Sequence, residues 1–292
     1  VDLLSTSGRA EVKTFREWVK KAKRLPVAEH GFSMFVRISD GSGSHMVLFD
    51  AGISPKGVVT NAKRMGVNLS EVEVIVLSHG HYDHFGGLPA AVKIIKREDL
   101  PVIVHEDMFK IRGVEKADGT VREYPPFPDW DKIKPAKYIK IKGPYLISDG
   151  LALVTGEIPR KTSFEKGYLK HRVFVDGKWL PDPWIWDDRA LIIKLRKGLV
   201  IISGCAHAGI INTIRYAQQL TGVEKVHAVF GGFHLAGKEC EKRIEATVKE
   251  LKKIKPDIVA PSHCTGWRGI YAIAKAMPKA FVWNSVGNLY QL

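Results

Sequence analysis

The sequence predicts an α/β fold built from two ββα-type halves that face one another across a shared site, and three observations predict it. β-rich runs come as a hairpin pair followed by a helical stretch, once in each half of the 292 residues. Strands in both halves run into histidine-bearing loops, and ligands gather outside strand carboxyl ends in layered α/β proteins. The composition, 45% hydrophobic and 26% charged, is ordinary for a globular chain and supplies a large core. One domain spanning residues 1–292 is expected.

In the first half, residues 32–38 and 45–49 are β-rich, and Asp40-Gly41-Ser42-Gly43-Ser44 between them reads as a hairpin turn. The second strand leads into Asp50-Ala51-Gly52. Ser54 offers an N-cap and Pro55 a first helical position, which predicts a helix that ends at Gly66. Residues 72–77 form a short apolar run of the buried-strand type, and Ser78 to His84 follow at once. Residues 88–96 read as a helix, 101–104 and 151–155 as strands.

The second half repeats this order. Residues 190–195 and 199–203 make a hairpin around Lys197-Gly198, Gly204-Cys205-Ala206-His207-Ala208-Gly209 follows, and 211–220 is helical. Residues 226–230 end in Gly231-Gly232-Phe233-His234, and 257–260 in Pro261-Ser262-His263-Cys264. Two stretches stand apart, 112–142 and 168–188, each rich in aromatic residues or proline around Trp130 and Trp184. They predict irregular loops serving as lids, with an apolar cover or a dimer contact as the alternative.

A formal charge of +14 attracts anions: a small phosphorylated substrate, nucleic acid or acidic lipid. The lysines are spread over several segments, which is equally the pattern of a solvated surface. Many Lys and Glu with few Gln and Asn resemble thermophile usage. No apolar run is long enough to span a membrane, and residues 1–23 are charged, so a soluble cytoplasmic protein is expected. The three cysteines, Cys205, Cys240 and Cys264, form no CxxC pair and fit a reducing compartment.

His79, His81, Asp83 and His84 place four metal-competent side chains within six residues, directly after a buried strand. Imidazole and carboxylate suit zinc first, with manganese, iron or nickel as alternatives. Packing so many ionisable groups at a strand end is costly without a counter-charge, so a cation site is the economical explanation. No GxSxG elbow, P-loop or GxGxxG turn competes with it.

Ser78-His79-Gly80-His81-Tyr82-Asp83-His84 resembles the HxHxDH signature of the metallo-β-lactamase superfamily, and Leu48-Phe49-Asp50-Ala51-Gly52 resembles that superfamily's strand-end aspartate motif. Glu29-His30-Gly31-Phe32-Ser33, Gly156-Glu157-Ile158-Pro159-Arg160, Gly204-Cys205-Ala206-His207-Ala208-Gly209 and Ser262-His263-Cys264-Thr265-Gly266 are similar to a branch of archaeal and bacterial proteins. That branch includes dihydropteroate-synthase-like enzymes of methanopterin biosynthesis. The resemblance implies an αββα sandwich with two divalent metal ions between sheet edges. It further implies His79 and His81 on the first cation, Asp83 and His84 on the second, and His263 closing the second. The chain departs from the pattern where the superfamily usually has a histidine, near Glu157. His207 then stands as the first cation's third ligand, with Cys205 as the other candidate. Asp50 is expected to orient a ligating imidazole, and His234 to bind substrate, donate a proton or serve as an extra metal ligand. Glu157 and Arg160 are candidate substrate contacts, Arg160 and Lys161 for a phosphate. His105 is expected to cap or pack. His30, His45, His171 and His227 carry no assignment.

The first expectation for function is hydrolysis of a phosphoester or related small ester by a metal-bound hydroxide oriented by Asp83, with His234 protonating the leaving group. A synthase joining a pterin to an aminobenzene ribosyl phosphate is the alternative from the resemblance. Nucleic-acid processing has the charge in its favour but little chain to spare for a binding arm. Redox diiron relatives carry glutamate where this chain has His81, and an inactive binding module would not need the full ligand set. A homo-oligomer is compatible with the aromatic segments.

Overall fold

Alternating side chains along the central strands sort into two faces, and that alternation builds the layers. In a computed structural model, which describes residues 9–20 and 23–292, Val47 and Phe49 face one core while Met46 and Leu48 face another. Val200 and Ile202 join Val47 and Phe49 between the sheets; Leu199 and Ile201 point to the opposite side. The expected character of residues 1–23 falls in part outside the described residues.

The first sheet runs Met34–Ser39, Ser44–Phe49, Val72–Val76, Pro101–Val104, Lys137–Lys140, antiparallel at the hairpin and parallel beyond it. The second runs Ile258–Ser262, Val226–Gly232, Gly198–Ser203, Ala190–Leu195, Ala152–Val154, Tyr145–Ile147. Its first three strands are parallel and the remainder antiparallel. Helices Gly57–Met65 and Leu88–Ile95 cover the outer face of the first sheet, and Ile210–Thr221, Ile244–Ile254 and Gly266–Ala276 that of the second. The architecture is therefore an αββα sandwich. Each fully buried Ile, Val, Leu or Phe in its three cores contributes on the order of 1.5–3 kcal/mol.

Two element boundaries differ from expectation. The first helix begins at Gly57 instead of Pro55. The Glu29 carboxylate accepts the N–H groups of Ile53 and Ser54, and Ser54–Gly57 makes one separate turn before the helix starts. The second hairpin turns at Arg196-Lys197, because Gly198 already pairs with Leu195. Helix Ile210–Thr221 takes its N-terminal partner from far away in sequence: Glu165 accepts from Ile211 and Asn212 N–H, both at 2.9 Å.

The larger correction concerns the two segments read as irregular lids. Arg112–Glu115 and Val121–Glu123 from one pair with His171–Val175 and Lys178–Pro181 from the other in a four-stranded antiparallel sheet. The hairpin between His171–Val175 and Lys178–Pro181 turns at Asp176-Gly177, both with positive φ (48° and 78°), the geometry that Asp-Gly favours. Lys137–Lys140, also assigned to a lid, is the edge strand of the first sheet. The proline-rich stretch between them stays irregular but packs inward: Phe127 is buried, its ring 4.9 Å from that of Phe85. None of the helices is long and apolar enough to cross a membrane, among the described residues.

Candidate metal centre

The Val72–Val76 strand delivers Ser78 to His84 to the carboxyl edge of the first sheet, and Gly198–Ser203, Val226–Gly232 and Ile258–Ser262 deliver Cys205, His207, His234 and His263 to the same edge of the second. The halves meet closely there. A Cβ on Gly204 would stand 2.1 Å from Ser78 Oγ, so only glycine fits.

Two groups of donors result. In the first, His79 Nε2 lies 3.0 Å from His81 Nδ1 and 3.2 Å from His207 Nε2. In the second, His84 Nε2 lies 3.2 Å from His263 Nε2, and Asp83 Oδ2 is 3.2 Å from the same His263 nitrogen. Cys205 Sγ belongs to both groups and sits 3.1 Å from His84 Nε2. Thus His207 and Cys205, alternatives on sequence grounds, converge on the site together.

These residues suit a cation on chemical grounds. His79 Nε2 faces two other ring nitrogens in a fully buried pocket, and one hydrogen on it would satisfy only one of them. Opposed lone pairs without water are costly, and a positive ion between them removes the cost. Behind the donors, Asp50 Oδ2 accepts from His84 Nδ1 at 2.6 Å while Oδ1 accepts from Ser78 N at 2.7 Å. That fixes His84 with its Nε2 toward the site.

A profile of the metallo-β-lactamase superfamily matches residues 27–160. The chain is 31% identical over 258 residues, 82% of each protein, to 7,8-dihydropterin-6-methyl-4-(β-D-ribofuranosyl)-aminobenzene-5′-phosphate synthase of Methanocaldococcus jannaschii. It belongs to the metallo-β-lactamase superfamily. An uncharacterised protein of the same archaeon is 32% identical over 269 residues, covering 90% of this chain and 93% of its own. A crystal structure of a metal-dependent hydrolase of the β-lactamase superfamily superposes with a TM-score of 0.72 at 25% identity, covering 90% of this chain and 92% of that one.

Within this metallo-β-lactamase site the electrostatics divide the histidines. Burial, reinforced by the neighbouring imidazoles and Arg112, holds His79 well below the usual histidine range and takes His81 to about 3. Burial opposes charge on His84 as well, but the Asp50 and Asp83 carboxylates outweigh it and raise that ring to about 9. Asp83 is driven well below the ordinary carboxylate range, its burial overcome by His84 and His263. Burial also raises the Cys205 thiol.

The remaining candidates separate cleanly. His234 lies at the site with its ring 4.2 Å from that of His207 and its backbone in the left-handed region (φ 46°). Glu157 does not reach either donor group: its carboxylate stands 3.2 Å from His105 Nε2 and 3.5 Å from Lys142 Nζ. Arg160 donates to the carbonyls of Ile158, Trp184 and Ile185 and lies over the Trp186 ring, so its guanidinium braces the chain there. Lys161 is turned to Gln219. His105 accepts from Asp107 N–H, a cap. His45 and His227 pair with Glu73 and Asp257.

Sequence reasoning passed over several residues of the site. His171, from the four-stranded sheet, has its ring 5.0 Å from His81 and 5.2 Å from His207, and its buried Nδ1 has no hydrogen-bond partner. With His207 and His234 it makes a third group of converging donors. His30 covers His263, ring centroids 4.7 Å apart. Asp187 accepts from Gly80 N–H at 2.7 Å and is gripped by both terminal nitrogens of Arg112; Asp188 accepts from Ala208 N–H. Arg189, fully buried, donates to the carbonyls of Leu77 and Ile103 at the strand ends of the first sheet. The available signal was Asp187-Asp188-Arg189 itself, three charges set directly before the apolar strand Ala190–Leu195.

Proposed function

We propose that this chain is a metal-dependent synthase that joins a dihydropterin to an aminobenzene ribosyl phosphate. The observation that carries this is the 31% identity to the archaeal synthase over 258 residues, 82% of both chains. His79, His81 and His207 would hold one divalent cation, zinc by donor chemistry, and Asp83, His84 and His263 a second, with Cys205 between them. Bound cations supply positive charge for an oxygen that departs with a bonding pair.

In the joining step the amine nitrogen forms a bond to the pterin's 6-methylene carbon. The bond from that carbon to its oxygen leaving group breaks with the pair on oxygen, and the amine proton goes to a base. Burial and the Arg243 charge press His234 down to about 4, so it stands neutral at pH 7. Its protonated form is therefore scarce, and a proton-receiving role suits it better than donation to the leaving group. His171, also buried and held neutral, faces the same space. Asp83 holds its negative charge beside His84 and His263 and keeps both rings in place.

Hydrolysis of a small phosphoester, the first expectation from sequence, is the second reading, favoured by the fold match to a metal-dependent hydrolase. One experiment separates them. Protein is incubated with 4-(β-D-ribofuranosyl)aminobenzene 5′-phosphate and a 7,8-dihydropterin bearing a leaving group on its 6-methylene, with a phosphoester panel in parallel, before and after chelation. A coupled product that disappears with chelator supports the synthase. Panel turnover without coupled product overturns it in favour of hydrolysis.

Two further outcomes are expected here. His207→Ala loses one cation per chain, whereas Cys205→Ser, touching both groups, weakens retention of both; elemental analysis after dialysis reads the difference, and wild-type retention in Cys205→Ser removes the thiol from the donor set. His171→Asn keeps its metal yet lowers kcat/KM by roughly 10²-fold, the lower range for a general acid–base group. Loss of metal in that variant makes His171 a ligand instead.

A further inference from the structure

Beside the second donor group a cleft of about 990 Å³ opens to solvent, bounded by Val36, Val200 and Ile202 of the facing sheets and by the C-terminal segment from Trp283 onward. His263 and His30 form part of its wall, so it is continuous with the metal centre. Trp267 and Trp283 also line it and stay 72% and 42% exposed. Their ring faces offer an amphipathic surface beside the metal centre on which a flat ring can stack.

The charges of the lining fix the kind of ligand. Apart from the Tyr290 phenol, its ionisable side chains among the described residues are Glu29, His30, Arg37 and His263. Glu29 is taken by the Ile53 and Ser54 amides, Arg37 by Glu71, and the two histidines face Asp83. Among the described residues of the lining, each charged side chain already has a partner, and Arg268, which lies 5.3 Å over the Trp267 ring, is itself paired with Glu241; an isolated charge would be poorly solvated there. The volume exceeds what a bicyclic ring requires and falls within the range of small-molecule sites.

We propose that this cleft seats the uncharged fused heteroaromatic ring of the substrate, stacked on Trp267 with its reactive arm toward His263. The inference rests on the synthase reading and adds where, and by what contacts, the pterin is held. The phosphate of the second substrate accordingly enters from another side.

The test is equilibrium binding of 6-methyl-7,8-dihydropterin to the metal-loaded full chain, followed by calorimetry, with inorganic phosphate as a second probe. Trp267→Ala removes the stacking face from an exposed position, and Val36→Phe fills the cleft from a half-buried one. Both are expected to weaken pterin binding, Trp267→Ala by roughly tenfold as for a lost base–aromatic stack, with metal content and phosphate binding unchanged. Unaltered pterin affinity in both variants, or no binding by the wild type, overturns the proposal. So does a shift of Trp267→Ala from dimer to monomer with affinity intact, which assigns the face to a second copy of the chain. Pterin binding that behaves as expected, in a protein that makes no coupled product, refutes the synthase reading and leaves the ring site standing.

Discussion

His81→Ala is expected to release cation from the first donor group and to lower turnover by at least the roughly 10²–10³-fold lost with a single electrostatic stabiliser. His81 supplies Nδ1 where His79 supplies Nε2, 3.0 Å away. His79, His207 and the shared Cys205 thiol then remain, one donor short of the closed four-donor set that holds zinc most firmly. Elemental analysis of the purified variant reads the metal, and the coupling assay reads turnover. His227→Ala serves as the control, because His227 pairs with Asp257 away from the donor groups. A metal-free His81→Ala protein with wild-type activity would dispose of the metal-centred mechanism altogether.

Arg112→Met is expected to give the largest loss of stability. Arg112 and Asp187 are almost wholly excluded from water and share two hydrogen bonds, at 2.9 and 2.6 Å, while Asp182 meets Arg112 Nε at 2.9 Å. Burial resists ionisation of Asp187, but Arg112 more than compensates and holds it well below the ordinary range. Removing the guanidinium strands that carboxylate, which costs about 3–5 kcal/mol for a buried pair broken on one side. For a chain of this size the melting temperature falls by roughly 6–20 °C. The damage extends to the site, because Asp187 also holds Gly80 N–H between His79 and His81; metal affinity is expected to drop about 10–100-fold. Asp187→Asn, which keeps an oxygen for Gly80, is expected to cost less. A melting temperature within 2 °C of wild type in Arg112→Met, by scanning calorimetry, would show that the pair carries no such weight.

The sequence by itself determined the layered α/β class, the order of strands and helices in each half, and the local donor run from His79 to His84. Those features are written in near neighbours: an apolar run of strand length, an alternation of period two, four metal-competent side chains in one turn of chain. The tertiary structure alone decided which distant residues complete the site. His171 reaches it because Arg112–Glu115 and His171–Val175 pair across more than fifty residues of chain, and neither strand carries a mark naming its partner. Sequence ranked His207 ahead of Cys205 as alternatives for one ligand position, whereas both come within reach of His79 once Gly204 has let the halves close. Sequence offered Glu157 and Arg160 as substrate contacts without showing the partners the fold gives them, His105 and the carbonyls near Trp184. Side-chain chemistry is local and therefore legible, but convergence depends on strand pairing and packing summed over the whole chain.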